Sequence, residues 1–200
     1  MTLVAVTKTV PLALMREALT LGITDIGENR VQEALAKHAQ LATYHANLRW
    51  HLVGHLQRNK ARHALECFDV VHSVDSQPLI EVLKAQVLRR RRAHPLELFL
   101  QVNVSKEASK FGCRPEELAA LAAAIQDAPH LRLVGLMTMP PWTDDPERSR
   151  PHFQRLRALR DAVNPAWKLS MGMSGDFEVA IEEGADYVRI GTAIFGARSR

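Results

Sequence analysis

The sequence predicts a (β/α)8 chain, the TIM barrel class, folded as a single domain over residues 1–200. Three observations lead there. Short apolar segments alternate with longer amphipathic ones from residue 3 to the end, the composition does not change along the way, and eight strand segments can be counted. Eight is the number at which a parallel sheet of βα units closes on itself. An open doubly wound sheet is the alternative, weakened by the absence of GxGxxG after the first strand. With 46% hydrophobic residues, 200 residues are enough for one sizeable core.

The first strand is placed at residues 3–7, where Val4, Val6 and Thr7 supply β-branched character, and Pro11 then opens a helical pattern over 12–21. The second strand, 25–27, leads to a helical pattern over 30–41, and the third, 49–53, to one over 59–66. The fourth, 70–74, precedes 77–91, and a long apolar run, 96–104, makes the fifth, followed by 115–127. The sixth, 131–137, precedes 146–163, and the seventh, 168–170, precedes 176–183. The eighth, 187–190, runs into Gly191 and a turn over 193–196.

Charge and cysteine content narrow the function classes. The formal net charge is +4, with 24% charged residues of mixed sign. The arginine run at 89–92 ends a helical pattern, where cations complement the helix dipole, and it has no aromatic interleaving. A solvated helix end is expected there, and no nucleic-acid partner. Cys67 and Cys113 lie in no CxxC or Cys/His spacing, so neither a disulfide framework nor a zinc site is indicated. No segment reaches the roughly 18 apolar residues of a membrane span, and the amino terminus lacks a basic segment followed by an apolar one. A soluble, cytoplasmic protein is expected.

Barrels carry their chemistry at the C-terminal ends of the strands. Lys8 stands at such an end, where burial lowers an ammonium pKa and favours an amine able to attack a carbonyl. It is the leading candidate for a Schiff base; a lysine snorkelling to solvent is the alternative. Ser174 and Gly175 precede a helical pattern, and Gly191 and Thr192 follow the last strand, so both turns suit a phosphate. A plain N-cap and a plain turn glycine are the alternatives. Glu28, Asn29, the segment 54–60, Ser73, Asp75, Asn103, Ser105 and Thr138 also fall at strand ends. His51 and His55 span a strand end and a loop, with no HExxH nearby, and read as ordinary hydrogen-bonded histidines with no metal. Met137, Met139 and Met173 are assigned to packing. No GxSxG, Walker or dinucleotide motif is present.

Six segments in order carry a resemblance: Leu3-Val4-Ala5-Val6-Thr7-Lys8-Thr9; Gly27-Glu28-Asn29; the run WHLVGHLQRNK at 50–60; GLMTMP at 135–140; SMGMS at 170–174; and VRIGTAIFG at 188–196. The chain closely resembles the pyridoxal phosphate homeostasis proteins, the YggS/PROSC family, over essentially its whole length. The resemblance implies a barrel like the N-terminal domain of alanine racemase, with pyridoxal 5′-phosphate (PLP) held as a Schiff base on Lys8. It further implies that Ser174, Gly191 and Thr192 grip the phosphate, that Arg189 faces the pyridine nitrogen and that Asn29 lies at the rim near the ring. Members usually carry a helix before the first strand, which here begins at residue 3, so the barrel is expected to lack it and to leave apolar surface uncovered.

An arginine at the ring nitrogen keeps that nitrogen unprotonated and weakens the ring as an electron sink. Alanine racemases work with such an arginine, but use a tyrosine from a second domain that this chain has no room for. Tyr44 and Tyr187 lie before the third strand and at the start of the eighth, and neither is an obvious second base. The resemblance thus implies a non-catalytic, monomeric carrier that stores, buffers or transfers PLP, with PLP-dependent apo-enzymes as the expected recipients. A small racemase or lysine-dependent aldolase is the alternative, and a cofactor-sensing interaction protein a third reading.

Overall fold

The computed structural model describes residues 1–41, 48–90, 94–107 and 109–196. Eight parallel strands form a closed barrel in sequence order, with β1 hydrogen-bonded to both β2 and β8. They are β1 (Thr2–Val6), β2 (Asp25–Glu28), β3 (Arg49–Leu52), β4 (Val70–Val74), β5 (Leu96–Gln101), β6 (Leu131–Met137), β7 (Lys168–Met173) and β8 (Tyr187–Ile190). Helices follow each strand: α1 (Leu12–Thr20), α2 (Val31–Leu41), α3 (Ala61–Ala64), α4 (Gln77–Arg90), α5 (Leu118–Gln126), α6 (Arg150–Val163), α7 (Phe177–Glu182) and α8 (Thr192–Phe195).

The period-2 alternation of the strands divides the core in two. Residues such as Leu52, Val71, Leu98, Leu136, Leu169 and Val188 face outward and merge with the buried helix faces into one large apolar layer. The inward residues form two small clusters, Val4–Val6–Val53 and Val70–Phe99–Met137, with Tyr187 packed against both. The rest of the lumen is polar: His51, His72, Ser170 and Arg189 are all buried.

Several expected boundaries move. The fifth strand stops at Gln101, short of the expected 104, because the Asn103 side chain accepts from Ser105 Oγ and the Lys106 amide, at 3.0 Å each, and turns the chain. The seventh strand runs on to Met173, past the expected 170, because Met173 pairs with Arg189 across a register shift; Gly172, at φ +92°, supplies the left-handed residue in that stretch. The helical pattern at 59–66 resolves into a short 3-10 helix, Arg58–Lys60, and the brief α3. A four-residue helix, α8, takes the place of the expected final turn. The end of the 77–91 pattern, Arg91 and Arg92 of the arginine run, and Tyr44 lie outside the described residues. On the outside of the barrel Leu3, Leu14 and Leu21 are exposed. Among the described residues no helix is long and apolar enough to cross a membrane, and no cluster of three or more potential ligands could hold a metal.

Candidate functional site

A cavity of about 600 Å³ opens at the C-terminal ends of the strands. Its wall includes all six residues singled out from the sequence: Lys8, Asn29, Ser174, Arg189, Gly191 and Thr192. Each is delivered by the end of a strand or the loop after it, as the barrel geometry requires.

Lys8 follows Val4 and Val6 in the inward phase of β1 and is half-buried in the cavity wall. Its two neighbours are tied down from outside the barrel. Lys37 of α2 donates to the Thr7 carbonyl at 2.6 Å, to Glu28 Oε1 at 2.8 Å and to Glu33 Oε1 at 2.7 Å, using all three of its protons. Glu33 Oε1 in turn accepts from the Thr9 amide at 2.5 Å, and Thr7 Oγ1 donates to Glu28 Oε1 at 2.6 Å. Thr9 sits at φ +61°, an uncommon state for a β-branched residue, so the backbone on the far side of Lys8 is held in a strained turn by this contact. Glu28, expected among the strand-end groups, thus faces outward to α2. Burial raises its pKa against the pull of Lys37 and Thr7, and its Oε2 has no hydrogen-bond partner among the described residues.

Asn29 is placed by contact between loops. A Cβ on Gly54, after β3, would overlap the Asn29 carbonyl oxygen, so only glycine lets these two backbones meet. Ser73 Oγ pins the same glycine by donating to its carbonyl at 2.7 Å.

The two turns picked out for an anion meet across the cavity. Ser174 Oγ accepts from the Gly191 amide at 3.2 Å and the Ala193 amide at 3.3 Å, which leaves its own proton to donate. A Cβ on Gly175 would meet nothing within 4 Å, so that side of the turn is open. Asp176, also in the wall, is turned to its own loop, with Oδ1 accepting from the Met173 amide at 2.7 Å.

Arg189 is the buried cation of the site, only 3% exposed. Nη1 donates to Ser170 Oγ at 2.7 Å and Nη2 to the Thr138 carbonyl at 2.9 Å, so both of these acceptors are neutral. Desolvation lowers its pKa to about 10, partly countered by Asp176, and it stays protonated at neutral pH.

Sequence reasoning missed part of the wall. Lys110 and Phe111 come from the loop after β5 and Trp142 from the loop after β6, and only their position after a strand could have signalled them. Phe111 and Trp142 are exposed, and Phe111 stacks on the His55 ring with centroids 4.1 Å apart. Met139 and Met173, assigned to packing, also line the cavity, whereas Met137 is fully buried in the lumen. Ser73, Asn103 and Thr138 do not line the cavity; Thr138 Oγ1 is spent on the Val102 carbonyl at 2.9 Å. His51 is deep in the barrel, hydrogen-bonded to Asp25 and His72.

The donor set suits a phosphorylated aromatic aldehyde: an amine on one wall, the Ser174 hydroxyl in an open turn braced by two amides, and a buried cation whose hydrogen bonds go to neutral acceptors.

Comparison with known proteins agrees with this chemistry. Residues 1–199 match the family described as alanine racemase, N-terminal domain. The Pseudomonas aeruginosa pyridoxal phosphate homeostasis protein is 51% identical over 197 residues, a span that covers 98% of this chain and 84% of that protein. The solved structure of PipY from Synechococcus elongatus with PLP bound is 38% identical, with a TM-score of 0.86, covering 98% of this chain and 92% of PipY. Alanine racemase from Corynebacterium glutamicum shares the fold at 17% identity, with a TM-score of 0.72 over 98% of this chain and 57% of the enzyme. With half its residues identical to one such relative across nearly its full length, the chain belongs to the pyridoxal phosphate homeostasis proteins of the alanine racemase N-terminal-domain family.

Proposed function

We propose that this protein binds PLP and serves its intracellular homeostasis by storing, buffering and handing over the cofactor. The observation that carries the reading is the cavity itself, which gathers Lys8, a buried Arg189 and the Ser174–Gly191–Thr192 turns on one wall set. Lys8 is the covalent attachment point; Ser174 Oγ with the turns at Gly191 and Thr192 receives the phosphate; Arg189 stands at the ring nitrogen and Asn29 at the rim. When bound, the cofactor supplies a reactive aldehyde and an electron-accepting ring. The residues' own work is to hold the phosphate, present the amine and keep a cation opposite the ring.

The protein is read as a carrier without turnover. Tyr187 packs inside the barrel against His51, His72 and Phe99 and is not part of the cavity wall, and His55 faces Asp75 at 3.5 Å. PLP-dependent apo-enzymes are the proposed recipients, and the carrier acts in the cytoplasm as a monomer.

The test is a spectrum of the protein loaded with PLP. Wild-type protein gives a band at about 420 nm that is lost in Lys8→Ala; an unchanged band in that variant removes Lys8 as the attachment point. Incubating loaded protein with L-amino acids in deuterated water decides turnover: no exchange at Cα supports the carrier, and protein-dependent exchange favours a small racemase.

A further inference from the structure

The polar groups in the barrel lumen form one continuous chain. Asp25 Oδ1 lies 2.9 Å from His51 Nε2, His51 Nδ1 lies 2.9 Å from His72 Nε2, and His72 Nδ1 lies 2.8 Å from Ser170 Oγ. Ser170 Oγ is then 2.7 Å from Arg189 Nη1. Asp25 begins β2 and therefore stands at the end of the barrel opposite the cavity, so the chain crosses the lumen from one mouth to the other.

The proton order in this chain follows from its two ends. A guanidinium only donates and a carboxylate only accepts. With neutral imidazoles, His51 must carry its proton on Nε2 to serve Asp25, which leaves Nδ1 to accept from His72 Nε2–H. His72 Nδ1 then accepts, so the Ser170 hydroxyl donates to it and receives Arg189 Nη1–H on its oxygen. Every bond points from Arg189 toward Asp25. Reversing any one of them places two acceptors or two donors face to face.

The surroundings favour the neutral form of both rings. Burial disfavours charge on each; Arg49 opposes a further positive charge at both rings, and Arg189 does so at His72. Asp25 and Asp69 pull the other way at His51 only. Tyr187 lies across both rings, and Phe99 stacks on His72 with centroids 4.4 Å apart.

We propose that Ser170, His72 and His51 are positioning residues for Arg189, holding its guanidinium toward the cavity through a one-way hydrogen-bond chain anchored on Asp25. The functional half of this inference rests on the cavity being a PLP site; the proton order does not.

Two measurements test it. Imidazole nitrogen NMR of the cofactor-free protein is expected to show both His51 and His72 as neutral Nε2–H tautomers, unchanged between about pH 5.5 and pH 8. In Asp25→Ala the His51 tautomer becomes mixed, whereas Asp25→Asn, whose amide oxygen still accepts, keeps the wild-type signals. An Nδ1–H tautomer at either ring, or titration near its ordinary value, overturns the chain. Ser170→Ala is expected to weaken PLP affinity about tenfold by absorbance titration, with thermal unfolding used to check the fold. Asp25→Ala also weakens it, and Asp25→Asn leaves it within about threefold of wild type. Wild-type affinity in folded Ser170→Ala overturns the positioning role. Wild-type protein with the expected imidazole signals but no PLP uptake overturns the cofactor reading and the functional half with it, and supports the proton order.

Discussion

Lys8 is framed by a cluster that touches the backbone on both sides of it. Lys37 holds the Thr7 carbonyl, and Glu33, paired with Lys37, holds the Thr9 amide. The Glu28 side chain beneath is fully buried, so removing the lysine leaves a carboxylate with no counter-charge in a dry place. Lys37→Met is expected to cost about 3–5 kcal/mol of unfolding free energy at neutral pH by denaturant titration. The sign of its pH dependence is set by Glu28, whose pKa burial already raises. As pH falls through that raised value the carboxyl takes up a proton and the stranded charge disappears, so the variant recovers stability relative to wild type in mild acid. A deficit unchanged by acid would show that lost packing, and not the buried charge, was responsible.

At the scale of elements, two glycines let backbones meet where any side chain would keep them apart. A Cβ on Gly135 would overlap the Lys168 carbonyl at the point where β6 and β7 begin to pair. A Cβ on Gly54 would overlap Asn29 at the cavity rim. Both alanine variants should lose stability, by about 1–3 kcal/mol or more, because the neighbours are backbone and cannot give way. They separate in binding: Gly54→Ala displaces Asn29 and weakens PLP affinity, while Gly135→Ala, remote from the cavity wall, leaves it near wild type. Equal affinity losses in the two would contradict a local role for Gly54. The same scale explains which boundaries sequence could not place. Asn103 ends β5 by a side-chain turn, and β7 extends because of its partner β8; both depend on contacts that an apolar run does not encode.

For the whole molecule, the polar lumen makes stability depend on pH near neutrality. His51 and His72 have pKa values lowered by burial, so the folded protein takes up their protons at lower pH than the unfolded chain, where they protonate around their ordinary 6.5. Below that value the unfolded chain binds more protons, and stability is lost as pH falls, by up to about 1.4 kcal/mol per pH unit for each histidine. Asp25 and Glu33, held below the usual carboxylate range, add to the loss at lower pH, and Glu28 opposes it. Denaturant midpoints should therefore fall from pH 7 toward about pH 5, and His72→Phe, which keeps the stack on Phe99, should flatten that slope by about one histidine's share. An unchanged slope would mean that His72 titrates alike in the folded and unfolded states.

The sequence by itself determined the eight-unit barrel, the lysine just past the first strand and the two turns near the end of the chain, because periodicity and strand-end position are local properties of a chain. It also pointed to ordinary hydrogen-bonded histidines at 51 and 55, without any sign of what they bond. Only the tertiary structure decided that His51 reaches Arg189 through His72 and Ser170, that Glu28 turns away from the cavity to meet Lys37, and that Phe111 and Trp142 stand at the mouth. The reason is distance along the chain: Ser170 is 98 residues from His72, and hydrogen bonds of that span exist only once the barrel has closed.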